Sequence, residues 1–99
     1  MHEIKHLAEG IREELDDAEK YAREAVKHAG EDPEDASTYA DLSRQELGHA
    51  NRSTKWPFAI SKRRRTPVSI PRSHAAVWDW EHERMLDRTA HVKTLLSMM

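Results

Sequence analysis

The chain has 99 residues, enough for one small domain whose core is marginal unless chains pair. Charged residues make up 34% and hydrophobic residues 37% of the chain, a balance that favours helices with large exposed faces. The net charge of −2, with histidine neutral, gives no general attraction to nucleic acid or to an anionic membrane. The chain contains no cysteine, so disulfides, thiolate metal sites and cysteine nucleophiles are excluded.

The N-terminal residues are polar, and the sequence contains no run of 18 apolar residues. Neither a signal peptide nor a membrane-spanning helix is therefore predicted. We expect a cytoplasmic protein with no membrane partner. Seven histidines are many for a chain of this length and raise the question of a metal site.

The first predicted helix covers about residues 3–29. Apolar residues recur along it at spacings of three and four, and Gly30 ends it. This stripe contains one acidic residue, and a buried carboxylate needs a cation, a metal or a water-filled pocket nearby. The stripe consists of Ile4, Leu7, Ile11, Glu14, Ala18, Tyr21, Ala25 and His28.

A second helix is predicted over about residues 34–54, with acidic residues favourably placed in its first turn. A third helix is predicted over about residues 73–98. No strand pattern competes, so the expected fold class is all-α. The stripe of the second helix is Tyr39, Leu42, Glu46, His49 and position 53. That of the third is Ala75, Trp78, His82, Met85, Thr89, Val92, Leu96 and Met99, widened by Val77, Leu86 and Leu95.

The connection over residues 56–72 is rich in proline and arginine, and its three prolines exclude a continuous helix. The basic run Lys62–Arg65 could contact phosphate. A run of four residues without a recognition fold, in an acidic chain, is a poor nucleic-acid signal. We therefore expect no nucleic-acid partner.

A second interpretation of this segment comes from reverse translation. If Ser53 and Ser61 use TCN codons, reading Ser53–Lys62 one base earlier permits the proline-free string Leu-His-Glu-Val-Ala-Val-Arg-His-Ile-Glu. That string is amphipathic and places an apolar residue at position 53. We hypothesise two compensating frame changes around residues 53–74, one near Ser53 and one near His74. Resequencing the locus tests this, since an unshifted reading frame would refute it.

The pattern Glu46-x-x-His49 places a carboxylate and an imidazole on one face of the second helix, where both can point at one ion. Glu14, in the stripe of the first helix, adds a second carboxylate. Oxygen and nitrogen ligands of this kind suit iron and manganese, and zinc also binds them. The alternative for the same residues is a set of ion pairs without metal.

Four further residues are weaker candidates. Tyr21 follows Glu14 by two turns, where its hydroxyl either hydrogen-bonds a carboxylate ligand or lies at the edge of the core. Asp79, His82 and Glu83 share a face of the third helix. They are either additional ligands or a polar patch beside the neighbouring tryptophans.

Together these motifs resemble the ferritin-like superfamily. The similarity is to rubrerythrin-type half-repeats, the short encapsulated-ferritin type and small prophage-type members. It covers about residues 4–52, and the helix Trp78–Leu96 looks like the third helix of the prophage-type members. The motifs that carry it are Glu14-x6-Tyr21 and Glu46-x-x-His49-Ala50.

The resemblance implies a site for two irons, with manganese or zinc as alternatives. Glu14 would be a terminal or bridging carboxylate, Glu46 a bridging carboxylate and His49 a terminal imidazole. The implied function is iron binding, with ferroxidase activity, the oxidation of Fe(II) by dioxygen or peroxide, as a further expectation. That would make the chain an oxidoreductase.

The chain departs from the full-length family pattern in having one Glu-x-x-His instead of two, so one chain offers too few ligands for two irons. A two-fold dimer supplies the full set. Alternatively, Asp79, His82 or Glu83 completes the site within one chain. We expect a single ferritin-like domain over 1–99 that forms a homodimer or larger homo-oligomer, and the resemblance also allows a capsid-like shell as partner. The alternative function is a metal-free helical interaction protein.

Overall fold

The computed structural model describes residues 2–52, 58–60 and 67–99. The described part is mainly helical, which confirms the all-α prediction, and each helix end lies within two residues of its predicted position. A short 3-10 turn, Arg72–His74, precedes the last helix. The helices are α1 His2–His28, α2 Pro33–Arg52 and α3 Ala75–Leu96.

Two short strands lie between α2 and α3, within the connection in which no strand was predicted. Strand β1 covers Phe58–Ile60 and pairs antiparallel with β2, Pro67–Ser69. The prolines exclude a helix here, and three-residue strands are too short to produce a visible alternating pattern. Residues 53–57 and 61–66 lie outside the described part. They include half of the segment 53–74 of the frame-change hypothesis and the whole Lys62–Arg65 cluster.

The turn between α1 and α2 has residues suited to starting a helix. Asp32 precedes Pro33, the first residue of α2, and its Oδ1 accepts a hydrogen bond of 3.2 Å from the backbone N–H of Asp35. A side-chain oxygen at this position satisfies one of the unpaired N–H groups of a helix start. Proline is favourable directly after it because its ring fixes a helical backbone angle. The sequence therefore turns the chain back within a few residues and makes α1 and α2 an antiparallel pair.

Small side chains form the contact between α1 and α2. Ala18, Ala22 and Ala25 of α1 are completely buried, and α2 presents further alanines to them. Ser43 is also completely buried, and its Oγ donates a hydrogen bond of 2.6 Å to the carbonyl oxygen of Ala18. Because side-chain size sets how far apart two helix axes lie, these residues allow a close approach of α1 and α2.

The buried stripe of α2 differs from the predicted one. The predicted members Tyr39, Leu42, Glu46 and His49 are all half-buried and lie at the edge of the contact. The stripe was misplaced because large side chains were taken as its markers, whereas small ones occupy the closest part of the contact. The fully buried residues of α2 are Ala36, Ala40, Ser43, Leu47 and Ala50.

Helix α3 packs against α1 through Trp78, Met85, Thr89 and Val92, which confirms the centre of its predicted stripe. Val77 and Leu86 were predicted to widen that stripe, and this was wrong, since they are 41% and 47% exposed. They lie on either flank of the buried stripe, beyond the reach of α1. Leu95 does pack against the core.

Helix α1 is the centre of the molecule, because it packs against both α2 and α3, which contact each other much less. Ion pairs fix one flank of α1 to α3: Arg12 pairs with Glu81, and Arg88 reaches Asp16 at 2.9 Å. Among the described residues, no helix is long and apolar enough to cross a membrane.

Candidate metal centre

Glu14 lies in the middle of α1 and is almost completely buried, with 1% of its side chain exposed. Its flanking apolar residues, Ile11 and Leu15, are buried too. A carboxylate without a favourable partner in such surroundings is strongly destabilising, so the fold has to supply one. That partner comes from α2.

Two residues of α2 meet Glu14. His49 Nδ1 lies 3.5 Å from Glu14 Oε2 and 3.8 Å from Glu46 Oε1. One ligand-type atom from each of the three side chains lies within 4.8 Å of the other two. The side chains of Glu46 and His49 are 23% and 27% exposed. The cluster is therefore closed on the Glu14 side and reachable from solvent on the α2 side.

These distances fit a shared cation. Bonds of about 2.1 Å from one ion put two donor atoms about 3.0 Å apart at a right angle and about 4.2 Å apart in trans. The two distances from His49 Nδ1 lie between these limits. All three donor atoms lie within 4.8 Å of one another, so the cluster would contract slightly around a shared ion. Two carboxylates and an imidazole are also the donor set that iron, manganese and zinc accept. The residues present fit such an ion with only small side-chain adjustments.

The cluster lies on the flank of the α1–α2 pair opposite to α3. At about 100° per residue, Glu14 is about 160° around α1 from Asp16, which pairs with α3. In the same way, Glu46 is about 160° around α2 from Gly48, which lines a groove between α2 and α3. Both ligand-bearing faces therefore point away from α3.

The weaker candidates on α3 do not join this cluster. Within the described residues, the group that could hold a metal consists of Glu14, Glu46 and His49 and includes neither acidic residue of the α3 face. Asp79 and Glu83 are exposed, and His82 is half-buried with a partner of its own. One chain alone thus brings three of the six predicted ligands together.

Tyr21 stacks against another ring of the same flank. Its ring centroid is 6.4 Å from that of Tyr39, with 25° between the planes. Tyr39 in turn stacks on His28 at 5.5 Å. Aromatic packing, one of the two roles that the sequence left open for Tyr21, is present here. Tyr39 was assigned only to the stripe of α2, although its spacing of seven residues from Glu46 places it on the same flank.

Comparison with known proteins finds no family model that matches the chain, and no curated protein or solved structure that matches it. The function is therefore inferred from the geometry of the chain's own residues.

Proposed function

We propose that this chain binds iron through Glu14, Glu46 and His49, and that two copies pair to form a carboxylate–histidine site for two irons. The observation that carries this proposal is the convergence of the three side chains within 4.8 Å, one of them almost completely buried. Two of these ligands sit three residues apart on α2, so one helix face presents both. The third ligand, Glu14, is held in place by the buried apolar residues around it on α1.

Pairing is part of the proposal because one chain supplies only half of a di-iron set. Di-iron sites in helical bundles use two Glu-x-x-His motifs and two further glutamates. A two-fold axis beside the cluster doubles one Glu-x-x-His and one glutamate to that number. The flank opposite to α3 supports this arrangement, because a second α1–α2 pair can approach there without displacing α3.

The proposed activity is the oxidation of Fe(II) as substrate. Two Fe(II) ions each give one electron, and dioxygen takes both electrons with two protons and leaves as hydrogen peroxide. The residues of the chain hold the substrate ions and balance their charge, since each copy contributes two carboxylates. The buried position of Glu14 keeps its carboxylate in one place and shields it from water.

Anaerobic titration with Fe(II), followed by oxygen, tests the proposal through metal content and near-ultraviolet absorbance. Wild-type protein should retain about one iron per chain and develop a ferric absorbance after oxygen is added. The double variant Glu46→Ala/His49→Ala should retain no iron and develop no ferric absorbance. The matched control is Glu19→Ala/His91→Ala, which removes another glutamate and histidine pair, 3.7 Å apart on the flank that carries α3, and should leave iron binding unchanged.

A second candidate is the metal-free interaction protein, and the ion-pair distances from His49 to the two glutamates favour it. In that case His49 and the buried Glu14 form an ion pair, and no metal joins them. This candidate predicts that Glu46→Ala and His49→Ala change the stability of the protein but bind no less iron than wild type. A flat absorbance trace, with no metal in purified wild-type protein, would put this candidate first.

A further inference from the structure

A groove separates α2 from α3 on the flank away from Glu14, Glu46 and His49, the candidate metal cluster. It has a volume of about 450 Å³, within the usual range for small-molecule sites. Two turns of α2 form one wall and the last turn of α3, with the residue after it, forms the other. Its lining consists of Arg44, Leu47, Gly48, Asn51, Lys93, Leu96 and Ser97.

Gly48 is the unusual residue in this lining. It lies inside α2, where glycine is among the least favourable residues for a helix. A Cβ atom at this position would meet no atom within 4 Å, so close packing inside the chain does not require a glycine. The bare backbone of Gly48 therefore leaves this part of the groove wall uncovered, with room for an occupant.

The chemistry of the lining indicates what that occupant is. Leu47 and Leu96 give the groove apolar surface, and Asn51 and Ser97 provide hydrogen-bonding groups. The two charged residues that line it, Arg44 and Lys93, are both cations, and no acidic residue belongs to the lining. An occupant that matches these features has an apolar part and a negatively charged head.

Arg44 remains available to such a head. Its Nη1 lies 3.3 Å from Asp41 Oδ1, but both side chains are mostly exposed, at 60% and 67%. Exposed pairs of this kind hold their partners weakly. A guanidinium also has several N–H groups in a fork that suits a carboxylate, so one contact with Asp41 leaves other donors free.

We propose that the groove between α2 and α3 binds a small amphiphilic carboxylate, with its carboxylate between Arg44 and Lys93 and its apolar chain along Leu47, Leu96 and the bare backbone of Gly48. This proposal is independent of iron binding, because the groove and the metal cluster lie on opposite flanks of α2. It requires neither a metal nor a second copy of the chain.

Titration of the full chain with octanoate, followed by calorimetry and by amide NMR shifts, tests this proposal. We expect saturable binding, with the largest shifts at the groove residues. Octanol, which lacks the charge, and citrate, which lacks the apolar chain, should each bind at least about tenfold more weakly. Equal binding of octanol or of citrate would overturn the proposal, as would octanoate shifts that do not saturate.

Variants locate the binding site. Arg44→Gln and Lys93→Gln should each weaken octanoate binding about tenfold, because each removes one charge-assisted contact. Arg23→Gln is the matched control: Arg23 is 59% exposed and lies 3.3 Å from Glu19 within its own helix, but outside the groove. It should bind octanoate like wild type. Equal losses in all three variants would mean that general surface charge binds the probe, and would overturn the proposal.

Gly48→Leu separates occupancy of the groove from stability of the fold. Leucine is a better helix former than glycine, and its side chain can enter the open space. Octanoate binding should be lost while the melting temperature stays the same or rises. Unchanged octanoate binding in this variant would overturn the proposal. If the variant does not fold, Gly48→Ala, which adds a single methyl group, and the two charge variants still decide the question.

Discussion

Ser43 is fully buried between α1 and α2, and its hydroxyl donates a hydrogen bond to the carbonyl oxygen of Ala18 that joins the two helices through the core. A short polar side chain at this position does two things. It is small enough for the close approach of the helices, and it gives the contact a fixed register, because its hydroxyl reaches one carbonyl oxygen. That register decides which residues of α2 face Glu14.

Replacing Ser43 by alanine should lower the free energy of unfolding by about 1 kcal/mol relative to a matched exposed serine. Ser37→Ala provides that reference, because Ser37 is exposed on the same helix and gains the same helix propensity. Urea unfolding of both variants measures the difference. If the two variants unfold at the same urea concentration, the hydrogen bond to Ala18 contributes nothing to stability.

Glu14, Glu46 and His49 could be identified from the sequence, because helical spacing fixes which residues of one helix share a face. Their convergence could not be read in the same way. It depends on how far α1 and α2 are shifted along each other, and the buried stripe of α2 was misplaced at that point. Gly48 was not singled out from the sequence. Spacing patterns describe side chains that are present, whereas the feature at Gly48 is the open space where a side chain is missing.

Among the elements, α3 is held to α1 by apolar packing in the centre and by charges at the rim. Arg88 lies 2.9 Å from Asp16 and 3.8 Å from Glu19, and His91 lies 3.7 Å from Glu19. These side chains are partly exposed, so each pair adds little to stability on its own. The ion pairs select the flank of α1 on which α3 docks, and apolar burial supplies most of the stabilisation.

Arg88→Gln should lower the free energy of unfolding by less than about 1 kcal/mol and reduce its dependence on salt. The reason is that Arg88 lies close to two acidic residues of α1, so its loss removes two charge attractions between α1 and α3. Urea midpoints at low and high sodium chloride measure both effects. Arg44→Gln, which breaks a pair within α2 only, is the control and should leave the salt dependence as it is in wild type.

Helix extents were predictable because their signals are local: Asp32 and Pro33 start α2, and Gly30 follows the end of α1. Strands β1 and β2 were not, because a three-residue strand carries too little alternating pattern to be recognised. The exposure of Val77 and Leu86 has a related cause. Their apolar character suggested burial, but α1 covers only the central stripe of α3 and leaves both flanks to other contacts.

In the molecule as a whole, the two flanks of the α1–α2 pair have different surroundings. One flank carries α3 and the groove with Gly48. The other carries the candidate metal cluster together with the stacked rings of Tyr21, Tyr39 and His28. Half-buried aromatic and ligand-type residues on one face are the residues we expect at a contact with a second copy.

If the proposed site is shared between two chains, metal binding and dimerisation are linked and each must favour the other. Zinc, which does not change oxidation state, should raise the dimer fraction in sedimentation velocity, and a chelator should lower it. His49→Ala should remove this coupling, whereas His28→Ala, also on this flank but outside the cluster, should preserve most of it. Zinc binding by Glu14, Glu46 and His49 without any change in association would place the whole site within one chain.

The alanines between α1 and α2 have a consequence for the metal cluster although none of them belongs to it. They set the separation of the two helix axes. That separation in turn determines the distance of 3.5 Å between Glu14 Oε2 and His49 Nδ1. Ala18→Val should force the helices apart, and metal affinity should fall with every ligand still in place, as a zinc titration would measure. If the chain binds a metal, its affinity therefore depends partly on a methyl group that is not among the ligands.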